Sequence, residues 1–130
     1  MVVHPFAETI RDQYAKHAAG VLLWPEAVLP RDLDLVIIKA PSSLGRDANG
    51  TWSQALRDTK AAIDGAFPVD VALLGCGAYG LPLAAHVVRS GASAVYVGGG
   101  LQLLFGIMGK RWADRAEIMK VRSEEHTSEL

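Results

Sequence analysis

The sequence contains little cysteine and carries almost no net charge. Cys76 is the single cysteine among 130 residues, which excludes an intramolecular disulfide and a cysteine-cluster metal site and fits a reducing compartment. Because the formal net charge is only -1, neither a nucleic-acid-binding surface nor a polyacidic tail is implied. We therefore expect a cytoplasmic protein without a nucleic-acid partner.

Charged side chains are absent from one long stretch, between Ser90 and Gly109. A stretch of this length could cross a membrane as a helix. Gly98, Gly99 and Gly100 interrupt it, however, and lipid cannot satisfy the backbone groups that such a turn exposes. The N-terminus, MVVHPFAET, also lacks the basic and long apolar regions of a signal peptide. We expect no membrane span.

The last nine residues differ sharply from those before them. Residues 122–130, RSEEHTSEL, resemble the in-frame translation of a sequencing adapter. We therefore expect residues 1–121 to be a fragment of one α/β domain and residues 122–130 to be an artefactual tail. Glu124, Glu125 and His126 are for this reason not interpreted as metal ligands, and no metal site is predicted.

Short apolar segments alternate with helical patterns along the chain. The predicted strands are Met1–Val3, Leu35–Lys39, Val69–Leu74 and Ala94–Val97. The predicted helices are Glu8–His17, Thr51–Ala66, Leu81–Arg89 and Leu101–Met108. This alternation indicates an α/β fold, with a Rossmann-like parallel sheet covered by helices on both faces.

The second predicted helix has the most complete signals. Thr51 and Gln54 have the spacing of a capping box. One helix face is traced by Trp52, Ala55, Leu56, Thr59, Ile63 and Ala66. The same periodicity places Phe6, Ile10 and Tyr14 on one face of the first helix. We therefore expect Trp52 to lie in the core.

Ligands of parallel α/β sheets bind beyond the carboxyl ends of the strands. In this chain the rule selects His4 with Pro5, Ser42 with Ser43, Gly75–Gly80 and Gly98–Gly100. The Gly75–Gly80 loop reads G-x-G-x-x-G after a strand and before a helix. Glycines let the backbone approach a phosphate, and the N–H groups at a helix start favour negative charge. The alternative is a tight turn with no ligand.

A dinucleotide site makes a further demand on the next strand, which should end in Asp or Glu to hold the ribose hydroxyls. No carboxylate lies between Asp70 and Asp114, and that strand ends instead in Gly98–Gly100. This weakens the interpretation as an NAD-dependent oxidoreductase. A second glycine turn is better suited to another part of a nucleotide or to a sugar.

Two stretches carry a resemblance to a known family, GAYGLP at Gly77–Pro82 and LQLLFGIMGKRW at Leu101–Trp112. Together with HPFAETIRDQY and TWSQAL upstream, they resemble the GT-D fold-like domain of bacterial glycosyltransferase-like proteins of surface-polysaccharide synthesis. The resemblance covers nearly all of residues 1–121. It implies a nucleotide-diphosphate sugar as donor, a UDP-sugar above others, and a glycan or other hydroxyl acceptor, with a divalent metal possible. It assigns no catalytic base to this chain.

The predicted ligand-binding residues belong to the two glycine turns and to two cations beyond them. They are Gly75, Gly77, Ala78, Tyr79, Gly80, Gly98, Gly99, Gly100, Lys110 and Arg111. Lys110 and Arg111 could neutralise a diphosphate, or they could complement a helix dipole. His4 is the candidate general base, with an ordinary loop histidine as the alternative.

Other candidates are weaker. Asp32-Leu33-Asp34 has the D-x-D form of a metal–diphosphate motif, but it precedes its strand and should lie at the opposite edge. Cys76 is close to a helix start that would lower its thiol pKa, although we interpret it as a small loop residue. His86 is interpreted as a core or rim residue. Trp112 could stack on a base or sugar. The leading hypothesis is a glycosyltransferase, and its main alternative is a non-catalytic nucleotide-binding module.

Overall fold

The structure, a computed structural model, describes residues 1–24, 29–41 and 51–108. The chain divides into two compact units. The first, which we call the sheet unit, comprises Met1–Glu8 and Leu35–Leu101. The second unit comprises Thr9–Asp34 and Gln102–Leu130. Each unit is treated separately below.

Strands and helices alternate along the described chain. The strands are β1 (Val2–His4), β2 (Ile37–Lys39), β3 (Val71–Leu74) and β4 (Ser93–Tyr96). The helices are α1 (Ala7–Ala18), α2 (Trp52–Ala66), α3 (Gly80–Arg89) and α4 (Leu101–Leu104). Short 3-10 turns at Gly77–Tyr79 and Gly98–Gly100 precede α3 and α4. The predicted alternation is confirmed, with most boundaries shifted by one or two residues.

All four strands pair in parallel, in the order β2-β1-β3-β4. Val3 is opposite Ile38 on one side and opposite Leu74 on the other. The chain runs outward from β1 to β2 and then returns past β1 to form β3 and β4. Consecutive connections therefore change direction between β1 and β3, which is where open parallel sheets leave a crevice for ligands. The predicted α/β fold with a Rossmann-like parallel sheet is confirmed.

The core of the sheet unit lies between one face of the sheet and helices α2 and α3. It contains small and branched apolar side chains together with one aromatic ring. Its members are Val3, Ala40, Ile63, Ala72, Leu74, Cys76, Tyr79, Leu83 and Val87. Alternate residues of a strand point to opposite faces. Val3 therefore faces this core, whereas Val2 and His4 point to the other side of the sheet.

The start of α2 follows the sequence prediction in part. The Thr51 hydroxyl accepts a hydrogen bond from the Gln54 N–H at 3.2 Å, which confirms the helix cap. The Gln54 side chain instead bonds to Asp58 and Arg57, so it does not complete the predicted box. The prediction that Trp52 lies in the core is wrong, because 47% of its surface is exposed.

Helix α4 is shorter than the sequence predicted, since it ends at Leu104 rather than Met108. Gly106 has a left-handed backbone with φ 71, and its N–H donates to the Leu103 carbonyl at 3.0 Å. The Ile107 N–H donates to the Gln102 carbonyl at 3.1 Å. A glycine just past a helix end commonly terminates it in this way. Gly106 was therefore the sequence signal for the end of α4, although the apolar pattern continues beyond it.

The second unit is held by side chains of α1. The Tyr14 hydroxyl donates to the Pro30 carbonyl at 3.0 Å and accepts from the Leu33 N–H at 2.9 Å. The Gln13 amide donates to the Phe105 carbonyl at 3.0 Å. These bonds satisfy backbone groups in irregular segments that have no regular partner. Among the described helices, none has both the length and the apolar character needed to span a bilayer.

Candidate functional site

The chain segments at the carboxyl ends of β1, β3 and β4 approach one another closely at Gly75. A Cβ atom added to Gly75 would lie 2.7 Å from the Gly98 carbonyl oxygen, 2.9 Å from the Leu101 Cβ and 3.0 Å from the His4 Cδ2. All three distances are shorter than ordinary van der Waals contact. The first glycine of the motif is therefore required by the convergence of the chain segments that follow β1, β3 and β4.

The third glycine of the motif allows α3 to approach β4. A Cβ atom on Gly80 would lie 1.9 Å from Cε2 of the Tyr96 ring. The Tyr96 hydroxyl donates a hydrogen bond to the Gly77 carbonyl at 3.1 Å. In dinucleotide-binding folds the third glycine has the same function, which is close packing of helix and strand. Here the strand is β4, and the tyrosine ring fills the space that a side chain at position 80 would need.

The middle glycine has a different environment. Gly77 is exposed and left-handed, with φ 58. Within the described chain, the N–H groups of Gly77 and Ala78 donate to no acceptor, and no side chain caps the turn or the start of α3. Uncapped N–H groups at the start of a helix attract anions. The turn thus exposes two backbone donors at the carboxyl end of β3.

The second glycine turn lies at the carboxyl end of the neighbouring strand, β4. Val97 is right-handed with φ -90 and ψ -32, and Gly98 is left-handed with φ 76. A right-handed residue followed by a left-handed one aims successive N–H groups into a concavity that favours anions. The N–H groups of Gly98 and Gly99 have no acceptor among the residues that the structure describes. Because β3 and β4 are paired, both sets of donors lie at one edge of the sheet.

His4 is the last residue of β1 and is almost fully buried. Its Nδ1 accepts a hydrogen bond from the Phe6 N–H at 2.9 Å, so the proton of the neutral ring is on Nε2. Burial lowers the pKa of the His4 imidazole below its ordinary value, which favours this neutral form. His4 therefore presents a hydrogen-bond donor, whereas the predicted general base would need the other tautomer.

Cys76 is also buried, with 2% of its surface exposed. Burial raises the pKa of its thiol to about 11, so the expectation that the nearby helix start would lower this pKa is wrong. Desolvation outweighs the helix dipole because the side chain points into the core beside Leu74 and Tyr79. A thiol in this state is not a nucleophile near neutral pH.

Two ion pairs in the described part of the sheet unit involve neither glycine turn. Lys39, the last residue of β2, pairs with Glu8 at 3.1 Å, and both side chains are largely exposed. His86 Nε2 lies 2.7 Å from the Asp64 carboxylate and links α3 to α2, as expected for a rim residue. The predicted cations Lys110 and Arg111 lie outside the described residues, as do Ser42, Ser43 and Trp112.

Metal-binding side chains are dispersed in the described part of the chain. Asp32 and Asp34 are exposed and come before β2 begins at Ile37. No group of three or more His, Cys, Asp or Glu side chains that could hold a metal ion occurs within residues 1–24, 29–41 and 51–108.

Two aromatic rings near the first turn have functions that the sequence analysis missed. The Trp52 ring stacks on the Tyr79 ring, with centroids 5.4 Å apart and an interplanar angle of 16°. Tyr79 was predicted to bind the ligand, but it is only 3% exposed and its N–H donates to the Cys76 carbonyl. Its role is therefore to stabilise the turn. Trp52 is the first residue of α2, which begins at the carboxyl edge of the sheet. Its position at the helix start was the sequence signal that could have identified it as a residue near the first turn.

Comparison with known proteins gives no match, whether with family models, curated proteins or solved structures. The two glycine turns and their surroundings are therefore the basis of the function proposed below. The resemblance to the GT-D fold-like domain stays a hypothesis based on the motifs quoted above.

Proposed function

We propose that the two glycine turns hold the diphosphate of a nucleotide sugar, and that the chain is a glycosyltransferase-like domain that transfers the sugar to an acceptor hydroxyl. One observation supports this most strongly. Gly77, Ala78, Gly98 and Gly99 direct unpaired N–H groups to one edge of a parallel sheet, after two paired strands and beside the switch point. Four backbone donors match the oxygen-rich, negatively charged diphosphate group.

The GT-D resemblance supplies the class of donor in this proposal, a UDP-sugar. In the proposed reaction, the acceptor oxygen bonds to the anomeric carbon as the bond from that carbon to the diphosphate oxygen breaks. The nucleoside diphosphate leaves with the electron pair, and the acceptor proton passes to solvent or to a base. The backbone donors stabilise the charge that develops on the departing diphosphate. The proposal places the reaction in the cytoplasm.

The dinucleotide alternative is disfavoured by the end of β4. The position that should hold the adenosine ribose through a carboxylate is occupied by Tyr96, Val97 and Gly98. A non-catalytic nucleotide-binding module would use the same donors and differs only in having no transfer activity. Transfer of labelled sugar to an acceptor distinguishes these two possibilities.

Binding is tested with the full chain, by calorimetry and thermal shift. The ligands are UDP, UDP-glucose with and without Mn²⁺, and NADH. We expect the uridine compounds to bind and to raise the Tm, because a ligand that binds only the folded state stabilises it. Stabilisation by NADH but not by UDP would refute the proposal and favour the dinucleotide binders.

A pair of substitutions at Ala78 tests where the diphosphate binds. Ala78 is exposed, so Ala78→Glu and Ala78→Gln add side chains of equal size without burying them. The carboxylate should weaken UDP binding by about ten-fold or more through repulsion at short range, and the amide by no more than about three-fold. Ala78→Glu should still fold, since an acidic residue at a helix start is stabilising. Equal UDP affinity in both variants would place the ligand elsewhere.

A further inference from the structure

We infer that the exposed face of Trp52 is the platform on which the nucleobase of the bound nucleotide stacks. This inference rests on the proposed function, because it needs a nucleotide in the glycine turns. It assigns ring recognition to a tryptophan that the helical periodicity had placed in the core.

The Trp52 ring belongs to the edge of the sheet at which the glycine turns lie. Trp52 begins α2, and the start of a helix that follows a parallel strand lies at the carboxyl edge of the sheet. Its partner Tyr79 is two residues after Gly77 in a single 3-10 turn, in which each residue rises about 2 Å. The Trp52 ring therefore packs on a residue of the same turn that carries the Gly77 and Ala78 donors.

The Trp52 ring is stacked on Tyr79 and is still half-exposed. One face of the indole is fixed against Tyr79 in a nearly parallel stack, while 47% of the Trp52 surface remains exposed. A large aromatic ring held on one side and open on the other needs little reorganisation to accept a further planar ring. Protein aromatic rings commonly bind bases in this way, whatever the identity of the base.

Tyr96 is a further half-exposed ring near the first turn, and its geometry is different. Its hydroxyl is bonded to the Gly77 carbonyl and its ring covers Gly80. These two contacts fix Tyr96 as part of the turn itself. Trp52 makes no comparable polar contact within the described residues, so its outer face can accept a ligand.

The test compares a ligand that has a base with one that has none. Dissociation constants for UDP, UDP-glucose and inorganic pyrophosphate are measured with the wild-type chain, Trp52→Leu, Trp52→Phe and Leu81→Ala. Trp52→Leu keeps an apolar cover over Tyr79, and Leu81, which is 69% exposed at the start of α3, is the matched control for loss of apolar surface. Far-UV circular dichroism and Tm values verify that each variant is folded.

We expect Trp52→Leu to weaken UDP binding by about ten-fold and to change pyrophosphate binding by less than about two-fold. Trp52→Phe should retain most of the UDP affinity, and Leu81→Ala should retain all of it. UDP should also quench tryptophan emission in the wild-type chain and less in Trp52→Phe.

Other outcomes overturn the inference in distinguishable ways. If Trp52→Leu leaves UDP affinity unchanged, or weakens UDP and pyrophosphate equally, Trp52 has only a structural role while the diphosphate site stands. If it weakens UDP-glucose but not UDP, the ring holds the sugar instead of the base. If neither UDP nor pyrophosphate binds the folded wild-type chain, the proposed function fails and this inference fails with it.

Discussion

The two glycine turns each follow a strand and precede a helix, but their glycines have different roles. In the first turn, Gly75 and Gly80 are buried and pressed against neighbouring atoms, and only Gly77 is exposed. In the second turn, a Cβ on Gly98 would approach nothing closer than the Tyr96 ring at 4.0 Å, and one on Gly100 would meet nothing within 4 Å. Packing therefore explains most of the first turn and little of the second.

The comparison shows that a glycine motif can combine two requirements. Gly75 and Gly80 permit chain segments to approach each other, which a protein without any ligand would also need. Gly77 and Gly98 instead adopt left-handed backbones, with φ 58 and 76, and these two positions adjoin the unpaired N–H groups. The proposed anion site thus depends on the left-handed pair Gly77 and Gly98 and not on the complete G-x-G-x-x-G pattern.

The largest expected effect is the difference in stability between substitutions at Gly75 and at Gly100. Gly75→Ala should destabilise the fold by about 3 kcal/mol or more, because the new methyl group meets the backbone carbonyl of Gly98, which cannot rotate away. Gly100→Ala should change stability by no more than about 0.5 kcal/mol. Urea unfolding of the two variants measures both values. Equal destabilisation would show that the two turns are packed alike.

A smaller effect is expected at Gly80, since its obstacle is a side chain. Gly80→Ala should cost about 1–3 kcal/mol, because Tyr96 can turn outward only by giving up its contact and its hydrogen bond to Gly77.

The double variant Gly80→Ala/Tyr96→Ala gives the control for this effect. The double variant should be less destabilised than the sum of the two single variants. Without the Tyr96 ring, a methyl group at position 80 no longer meets the atoms that make it unfavourable. Additive values from urea unfolding would mean that the Tyr96 ring does not restrict position 80.

The smallest effect concerns His4, which contacts the first turn. Burial lowers the His4 pKa in the folded chain, whereas an unfolded histidine keeps its ordinary value of 6.5. Below pH 6.5 the unfolded chain therefore binds more protons, and stability should fall as the pH decreases through 6.5. His4→Asn keeps an acceptor for the Phe6 N–H and removes the titration.

The Tm of His4→Asn should consequently fall less than that of the wild-type chain between pH 7.5 and pH 5.5, two buffer values chosen about one unit on either side of the ordinary pKa. Thermal melts monitored by circular dichroism give the difference. An identical loss of Tm in both proteins would contradict a buried, neutral His4.

Much of the fold could be predicted because its signals are local. Short branched strands, the Thr51 cap and the glycine after α3 act within a few residues, and the structure has elements at each of these places. Periodicity gave the wrong location for Trp52 because it assigns every residue of one helix face to the core. The first residue of a helix can belong to that face and still lie beyond the surface that covers the rest of it. Periodicity also failed beyond Leu104, where the left-handed Gly106 terminates a helix that the apolar pattern would extend.

The candidate site could be predicted as a set of loops but not as an arrangement of atoms. The carboxyl-end rule selected His4, Gly75–Gly80 and Gly98–Gly100 before the strand order was known. It could not tell that the His4 proton is on Nε2, because that depends on a hydrogen bond with Phe6. Nor could it tell that Cys76 points into the core, where desolvation raises its pKa.

The sequence by itself determined the α/β class and the positions of the glycine turns, because alternating strands, helices and turns are specified by neighbouring residues. Only the tertiary structure decided the order β2-β1-β3-β4, and with it the switch point beside His4 and the adjacency of the two turns. It also decided which glycines are packed and which face solvent. Those properties depend on contacts between residues far apart in the chain, such as Gly75 with Gly98 and Trp52 with Tyr79, and no local pattern encodes them.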